Sequence, residues 1–328
     1  MPIVTPFDRR AVLAAGAGAL SLPFAARAQE AWPRRGVRVV VAYPAGGPSD
    51  GLSRLIALGL SERLGQQFTI DNRAGGNASI GTEIVARAEP DGYTITMGTQ
   101  QNHATNQSLM PGLTHSDADF AAIAMVSTSS HVLIVHRDFE AKTWPAFRDL
   151  VRSRAGAFNY ASPGSGSASH LGMELLKTRA GLDIAHVPYR GAAPMMTDMM
   201  AGRVPMSVAT VTSALQHIRN GVFVPIAIAG PARVAPLPEV PTFAELGVTG
   251  VEADAWFGWF APARTPEPIL DRLEREIVAI VEQPETRTRI EGFGMQPRTL
   301  RRAEFATFVR AEVTKWAEVI RVSGAKLE

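Results

Sequence analysis

"VRVVVAYPAGGPSDGLSRLIALGLSERLG", residues 37–65, changes its hydrophobic period halfway along. Val37, Val39, Val40 and Val41 make a short β-branched run, the composition of a strand buried on both faces. From Leu52 onward the apolar residues Leu52, Leu55, Ile56, Leu60 and Leu64 recur at three- and four-residue spacing, which places them on one face of a helix. "YPAGGPSD" between them is too rich in glycine and proline to continue either element, and Gly65 supplies a helix stop. The stretch therefore reads as strand, loop, helix, and the recurrence of that unit decides the fold.

It recurs at once. "FTIDN" (68–72) is a second strand, "SIGTEIVARAEP" (79–90) a helix ended by Pro90, and "YTITMGT" (93–99) a third strand. Alternation of this kind builds an open α/β sheet with parallel strands and helices on both faces. A long extended run, "FAAIAMVSTSSHVLIVH" (120–136), then starts the pattern again. A helix near 144–154, "FNYAS", a helix over 167–180, "IAHVPY", "AAPMMTDMMAG", "VPMSVAT", "SALQHIRNG" and "FVPIAIAG" follow as a second set of βα units. After residue 252 only "WFGWFAPA" (256–263) reads as a strand, with helices near 267–282 and 302–322. One strand cannot found a third domain, so the C-terminal part is expected to pack back onto the first. The chain then crosses twice between residues 29–127 plus 253–328 (domain I) and residues 128–252 (domain II), as a two-lobed clamp with a hinge.

Residues 1–28 have a different composition. Arg9 and Arg10 precede the uncharged "AVLAAGAGALSLPFAA", which ends in "ARAQ", the three-part pattern of a secretory signal peptide with cleavage after Ala28. "DRRAVL" also resembles a twin-arginine export signal; an ordinary signal with two adjacent arginines is the other reading. The apolar run is shorter than the roughly 20 residues that span a bilayer. The leader takes Arg9, Arg10, Arg27 and Asp8 from a chain of 33 basic and 31 acidic residues, leaving 30 of each. A balanced mature chain has no basic footprint for nucleic acid or anionic lipid. There is no cysteine, hence no disulfide framework and no thiol chemistry.

Four glycine- or serine-rich junctions lie between a strand and a helix, two in each proposed domain: "YPAGGPSD" (43–50), "NRAGGNASIG" (72–81), "SPGSGSASH" (162–170) and "YRGAAP" (189–194). Each leaves backbone N–H groups at the positive end of a helix, and glycine lets a ligand approach them. The loops contain no lysine, so a Walker loop is excluded; "GSGSAS" has Ser169 where a dinucleotide fingerprint needs its third glycine. Pro163 and Ser167 stand where a hydrolase elbow around Ser165 would need glycines. His170, five residues beyond Ser165, suits helix packing better than general-base chemistry. His131 and His136 lack metal-ligand spacing. The sequence thus favours gripping an anion over catalysis, with no cofactor, no metal and no catalytic residue. An exported serine hydrolase using Ser165 or Ser167 is the alternative, and an orphan binding protein serving a sensor is another.

"VVVAYPAGGPSDGLSRLIALGLSERLGQQFTIDNRAGG", "ARAEPDGYTITMGT", "NYASPGSGSASHLGMELL", "HVPYRGAAPMMTDMMAGRV" and "LPEVPTFAELGV" with "WFGWFAPARTP" resemble, in that order, the Bug family, the periplasmic solute-binding proteins of tripartite tricarboxylate transporters. The resemblance implies a two-domain type II periplasmic binding protein (Venus flytrap) fold with a two-strand hinge. It also implies a monomer that closes on a small carboxylate or dicarboxylate and delivers it to a membrane permease. By position, the ligand would be held by Tyr43, Ala45, Gly46, Ser49 and Asp50, with Gly75, Gly76 and Asn77 from the second loop. Ser165, Ser167, Ser169, Tyr189 and Thr210 would hold it from the other lobe. The chain departs from the family pattern in "NRAGGNASIG", at Met206, and in "TQQNHATNQSL" (99–109). There Gln100, Gln101, Asn102 and His103 replace smaller residues; Gln100 and Asn102 either donate to the distal part of a ligand or satisfy loop backbone. Arg190 either pairs with a second carboxylate or braces its lobe, and Trp256 and Phe257 are expected to pack the hinge.

Overall fold

A computed structural model of the chain describes residues 32–326, so the leader lies outside the described residues. From Arg35 onward the chain is one compact unit by its contacts, and it contains two sheets. In the first, β1 (Val37–Val41), β2 (Phe68–Asn72), β3 (Thr94–Thr99), β4 (Phe120–Ser129), β10 (Ala255–Pro262) and β11 (Gln296–Arg301) lie in the order β11-β4-β10-β3-β1-β2. β1 pairs in parallel with β2 and β3, while β10 runs antiparallel between β3 and β4. In the second sheet, β5 (His131–His136), β6 (Asn159–Ser162), β7 (Ala185–Pro188), β8 (Met206–Thr210) and β9 (Phe223–Ala229) lie in the order β7-β6-β8-β5-β9. β6 is parallel to β7 and β8, and β5 is antiparallel to β8 and β9.

Among the described residues, ten helices accompany these sheets: α1 (Pro48–Leu64), α2 (Ser79–Ala86), α3 (Asn106–Leu109), α4 (Trp144–Ser153), α5 (Ala168–Ala180), α6 (Ala192–Met200), α7 (Val211–Arg219), α8 (Glu267–Val281), α9 (Pro284–Gly292) and α10 (Arg302–Ser323). α1 follows its sequence signals closely. Pro48 opens it, Leu52, Ile56 and Leu60 are buried, and Gly65, left-handed at φ 69°, closes it by donating its N–H to the Ser61 carbonyl.

The extended run 120–136 is two strands that share a direction but not a sheet, because the chain leaves β4 at Ser130 and enters the second sheet as β5. Its return runs from β9 to β10. The crossing segments touch: the Ala253 N–H donates to the Ala229 carbonyl, Ala255 pairs with Ser129, and His131 pairs with Ala229. β5 is buried on both faces. Leu133 and Val135 join a core that runs on to Trp256, Phe305 and Trp316, while Val132 and Ile134 join a second core with Met195, Met199 and Phe223. α10 packs against α5, so the last helix bridges the two lobes.

Four elements depart from the sequence reading. β11 is a second late strand; "QPRTLR" has a proline and no apolar alternation, which an edge strand tolerates. α9 is nearly polar all round, with only Thr286 and Ile290 buried, so no hydrophobic period marks it. Gln101–Thr105 forms one π-helical turn that runs into α3. The helix after β2 also stops at Ala86, four residues before Pro90.

Candidate functional site

The loops flagged by composition all leave the carboxyl ends of parallel strands, where an open α/β sheet exposes helix N-termini. Tyr43–Gly47 connects β1 to α1, Arg73–Ala78 connects β2 to α2, and Thr99–Thr105 follows β3. Ser162–Ser167, Tyr189–Gly191 and Thr210 occupy the same positions after β6, β7 and β8.

The first-lobe loops are cross-braced by side chains. Asp50 accepts from the Gly46 N–H at 2.9 Å, from Arg54 Nε at 2.9 Å and from Asn72 Nδ2 at 3.0 Å. Burial opposes its charge, but these three donors and the Arg54 guanidinium hold its carboxyl below the usual range. Asp50 therefore braces the loop as a fully engaged carboxylate. Asn102 accepts at Oδ1 from the Thr99 N–H (2.8 Å) and hydroxyl (3.1 Å) and donates from Nδ2 to Thr82 (2.8 Å). Thr99 Oγ1 also accepts from the Gln101 N–H, so the Tyr43 phenol, its remaining neighbour, donates to it. Burial raises the Tyr43 pKa well above that of an ordinary tyrosine, with Thr99 offsetting part of the rise, and the phenol stays protonated.

Gly75, Gly76, Asn77 and Ala78 all have positive φ, at 126°, 55°, 51° and 68°. Asn77 and Ala78 are the central pair of a type I′ turn closed by the Ser79 N–H on the Gly76 carbonyl. A buried alanine in this region is strained by about 1–3 kcal/mol. The Asn106 amide, at the other end of the π-turn, donates to the Asn77 carbonyl at 2.7 Å and holds the turn in place.

In the second lobe, Ser167 caps α5 by accepting from the His170 N–H. The Ser165, Ala168 and Ser169 amides have no hydrogen-bond partner among the described residues, as expected at a helix N-terminus. Tyr189 donates to Asp198 at 2.9 Å; burial and that carboxylate raise its pKa. Thr210 caps α7 and pairs with Ser213. Arg190 is exposed and has no ion pair among the described residues; its neighbours Tyr189 and Gly191 donate their N–H groups to Ser162 and Pro163. Trp256 is buried in the core with its indole on Glu312, away from these loops.

Beyond the hinge and the packing of α10 on α5, the lobes meet at Thr105 and at Gly294. Thr105 Oγ1 donates to the Gly166 carbonyl at 3.2 Å. Gly294, between α9 and β11, lies so close to Thr212 that an added Cβ would be 3.0 Å from the Thr212 Cα. Around these contacts, Gln100 Nε2, Ser165 Oγ and Thr212 Oγ1 are buried without a hydrogen-bond partner. Unpaired buried polar groups are costly, and these three stand on the segments that bring the lobes together, where a ligand could satisfy them. Thr105, Thr212 and the Phe293–Gly294 corner, whose aromatic ring lies beside Gly51, were not singled out from sequence. A threonine two residues inside a helix has no compositional signal of its own. A groove of about 540 Å³ between α1 and the edge strand β2, lined by Arg54, Leu58, Glu62 and Gln67, brings none of the flagged loops together.

Among the described residues, neither serine of the alternative hydrolase reading is paired with a base. Ser165 Oγ has no partner, and Ser167 Oγ is engaged as a cap. Ser162 lies 2.7 Å from His186 Nε2, with the Gly164 carbonyl also in reach of its hydroxyl, but Ser162 is fully buried, away from any substrate.

Residues 52–325 match the family model of the tripartite tricarboxylate transporter family receptor. The chain belongs to that family. A UPF0065 protein of a Pseudomonas species is 34% identical over 97% of this chain and 96% of its own length, and the BugT protein of Bordetella pertussis is 31% identical over 91% and 92%. Among solved structures, an R. palustris protein with adipate is similar at a TM-score of 0.83 and 33% identity, covering 90% of this chain and 99% of that one. MatC of Rhodopseudomonas palustris with bound malate is similar at 0.79 and 31% identity, covering 88% and 100%. Tripartite tricarboxylate transporter receptors are periplasmic solute-binding proteins, not enzymes, and the two sheets with their double crossing are the two-domain type II binding fold of that family.

Proposed function

We propose that this chain is exported by its N-terminal leader and works in the periplasm as a monomer, closing its cleft on a small organic acid that it hands to a membrane permease. The observation that carries this reading is the set of buried, unpartnered hydrogen-bonding groups at the lobe interface, Gln100 Nε2, Ser165 Oγ and Thr212 Oγ1, beside the free amides that begin α5. Neutral donors and helix dipoles stabilise a carboxylate without a buried countercharge. The malate- and adipate-bound relatives support that ligand class. The boundaries of the lobes follow the crossings near Ser130 and Asp254. Within the cleft, Gln100, Ser165, Ser169 and the amides of Ala45, Gly75, Gly76 and Asn77 contact the ligand. Tyr43, Ser49, Asp50, Asn102, Ser167, Tyr189 and Thr210 shape the loops that carry them.

The test is a thermal-shift screen of refolded, ligand-stripped protein against mono-, di- and tricarboxylates. A ligand that binds only the native state at one hundred times its Kd adds about 2.7 kcal/mol of stability. A shift confined to acids of one chemotype is the expected result; no shift with any acid, in folded protein, would overturn the reading.

A further inference from the structure

The loop Ser162–Ser167 rests on two stacked imidazoles. His186 on β7 and His170 in the first turn of α5 lie 4.0 Å apart, with planes 5° from parallel, and Tyr160 of β6 continues the stack on His186 at 4.9 Å. Each ring grips a different end of the loop. His186 Nε2 shares a hydrogen bond with Ser162 Oγ at the loop's start, 2.7 Å apart, and His170 Nδ1 accepts the Gly166 N–H at 2.9 Å near its end. The Ser162 hydroxyl also lies 3.1 Å from the Gly164 carbonyl, so its single proton goes either there or to His186. His170 can accept only if Nδ1 is bare, so it is neutral with its proton on Nε2.

Gly166 is the residue through which this stack reaches the cleft. Its N–H is held by His170 and its carbonyl by Thr105 of the opposite lobe, with Ser165, buried and unpartnered, immediately before it. Gly164 and Gly166 have φ of 148° and 80°, conformations an L side chain rarely adopts, so the turn between them needs outside anchors to stay in one shape.

Resting on the reading of the cleft as an acid-binding site, we propose that His170, supported by His186, is a positioning residue whose bare Nδ1 sets the Ser165–Gly166 turn for lobe closure, so that protonation of the imidazole releases the ligand. The titratable and charged groups around the pair are Lys177 and Glu174 of α5 and Tyr160 of β6; Thr105 carries no charge. Burial, then the nearby Lys177 charge, lowers the His170 pKa to about 4, and burial with His170 lowers that of His186 to about 3. Both rings are neutral at neutral pH. Because the folded value lies below that of a free histidine, acid favours states in which the turn has let go.

The test uses His170→Asn, whose carboxamide oxygen replaces Nδ1 as an acceptor and cannot be protonated, and His170→Leu, which has no acceptor. Calorimetric titration of adipate and malate from pH 7.5 to 3.5 includes ligand ionisation, which is common to all three proteins, so the ratio of variant to wild-type affinity is the readout. At pH 7.5 the Asn variant should bind like the wild type and the Leu variant about tenfold more weakly. With the imidazole pKa at about 4, the ratio of Asn variant to wild type should rise about fourfold by pH 3.5. A ratio that stays flat, or a Leu variant that binds like the wild type, would overturn the proposal. Two-bond ¹H–¹⁵N spectra of the ligand-free protein supply a readout that needs no ligand. His170 must show a bare Nδ1 at pH 7, and the Gly166 amide must lose its hydrogen-bonded shift on acidification in the wild type but not in His170→Asn. If neither acid binds the wild type, the ligand reading fails separately and these spectra decide the role of His170.

Discussion

The imidazole of His103 lies flat on the ring of Phe260, with centroids 3.8 Å apart and planes 5° from parallel. His103 belongs to the π-turn that carries Gln100 and Thr105 toward the cleft, and Phe260 belongs to β10 in the sheet behind it, so the stack fixes the turn to the sheet. Burial, and to a lesser degree His115, lowers the His103 pKa to about 3, so the ring is neutral and stacks as an aromatic rather than as a cation.

Gly98 makes room for that stack. A Cβ at residue 98 would lie 2.2 Å from His103 Cδ2 and 2.7 Å from Phe260 Cε2, inside both rings. Gly98→Ala should destabilise the protein by about 1–3 kcal/mol, which for a chain of this size lowers the melting midpoint by about 2–4 °C per kcal/mol. It should also weaken acid binding, because the π-turn must shift. Paired thermal melts and calorimetric titrations check both; unchanged affinity would mean that the turn does not shape the cleft.

Thr105→Val tests the contact between lobes. Thr105 is fully buried, and its hydroxyl is shared between the Gln101 and Gly166 carbonyls. Removing it forfeits about 1 kcal/mol of hydrogen bonding, which should weaken ligand binding about fivefold. The expected signature is a faster off-rate with little change in on-rate, measured by stopped-flow fluorescence, because the bond to Gly166 forms only when the lobes meet.

The sheets were legible in the sequence wherever burial is two-sided. Val37–Val41 and Leu133–Val135 have no choice but to be strands in a core, and the Gly65 stop is readable without neighbours. The sequence reading puts the crossing at 127–128, close to Ser130, but β4 and β5 have the same composition on either side, so composition does not mark the residue at which the chain changes sheet. Within the loops, glycine and serine content located the site but could not separate ligand contacts from braces. Asp50, Asn102 and Tyr189 look like free hydrogen-bonding groups until Arg54, Thr82 and Asp198 are brought beside them by the fold. Thr212 looks unremarkable until Gly294 arrives from some eighty residues away and shuts out water.

Glu312 joins α10 to the first sheet. Its Oε2 accepts from the Trp256 indole at 3.1 Å and the Trp316 indole at 2.9 Å, and Lys315 pairs with Oε1. Both tryptophans are fully buried, so Glu312→Leu would leave two buried indole N–H groups without acceptors. A loss of about 2–4 kcal/mol is expected, visible as a lower urea midpoint at unchanged slope. A midpoint within error of wild type would show that the tryptophans are held by packing alone.

Asp254 stands at the return crossing and should make stability fall as pH rises. Burial pushes its pKa up to about 6, against hydrogen bonding from Ser130 on the outgoing crossing and the more distant Lys315 and Arg298 charges; Glu252 adds to the rise. Its Oδ1 is buried without a partner. The folded pKa lies above the ordinary value of 3.8, so below about pH 4 the group is protonated in both folded and unfolded chains and has no effect. Between about pH 4 and 6 the unfolded chain ionises first, and above pH 6 the full penalty, about 3 kcal/mol, is in force. Asp254→Asn should therefore melt like the wild type at pH 4 and several degrees higher at pH 8, with the gap opening across that window. A difference between the two proteins that stays constant from pH 4 to 8 would mean that the carboxyl is ionised at the hinge without cost, and that Ser130 and water stabilise its charge.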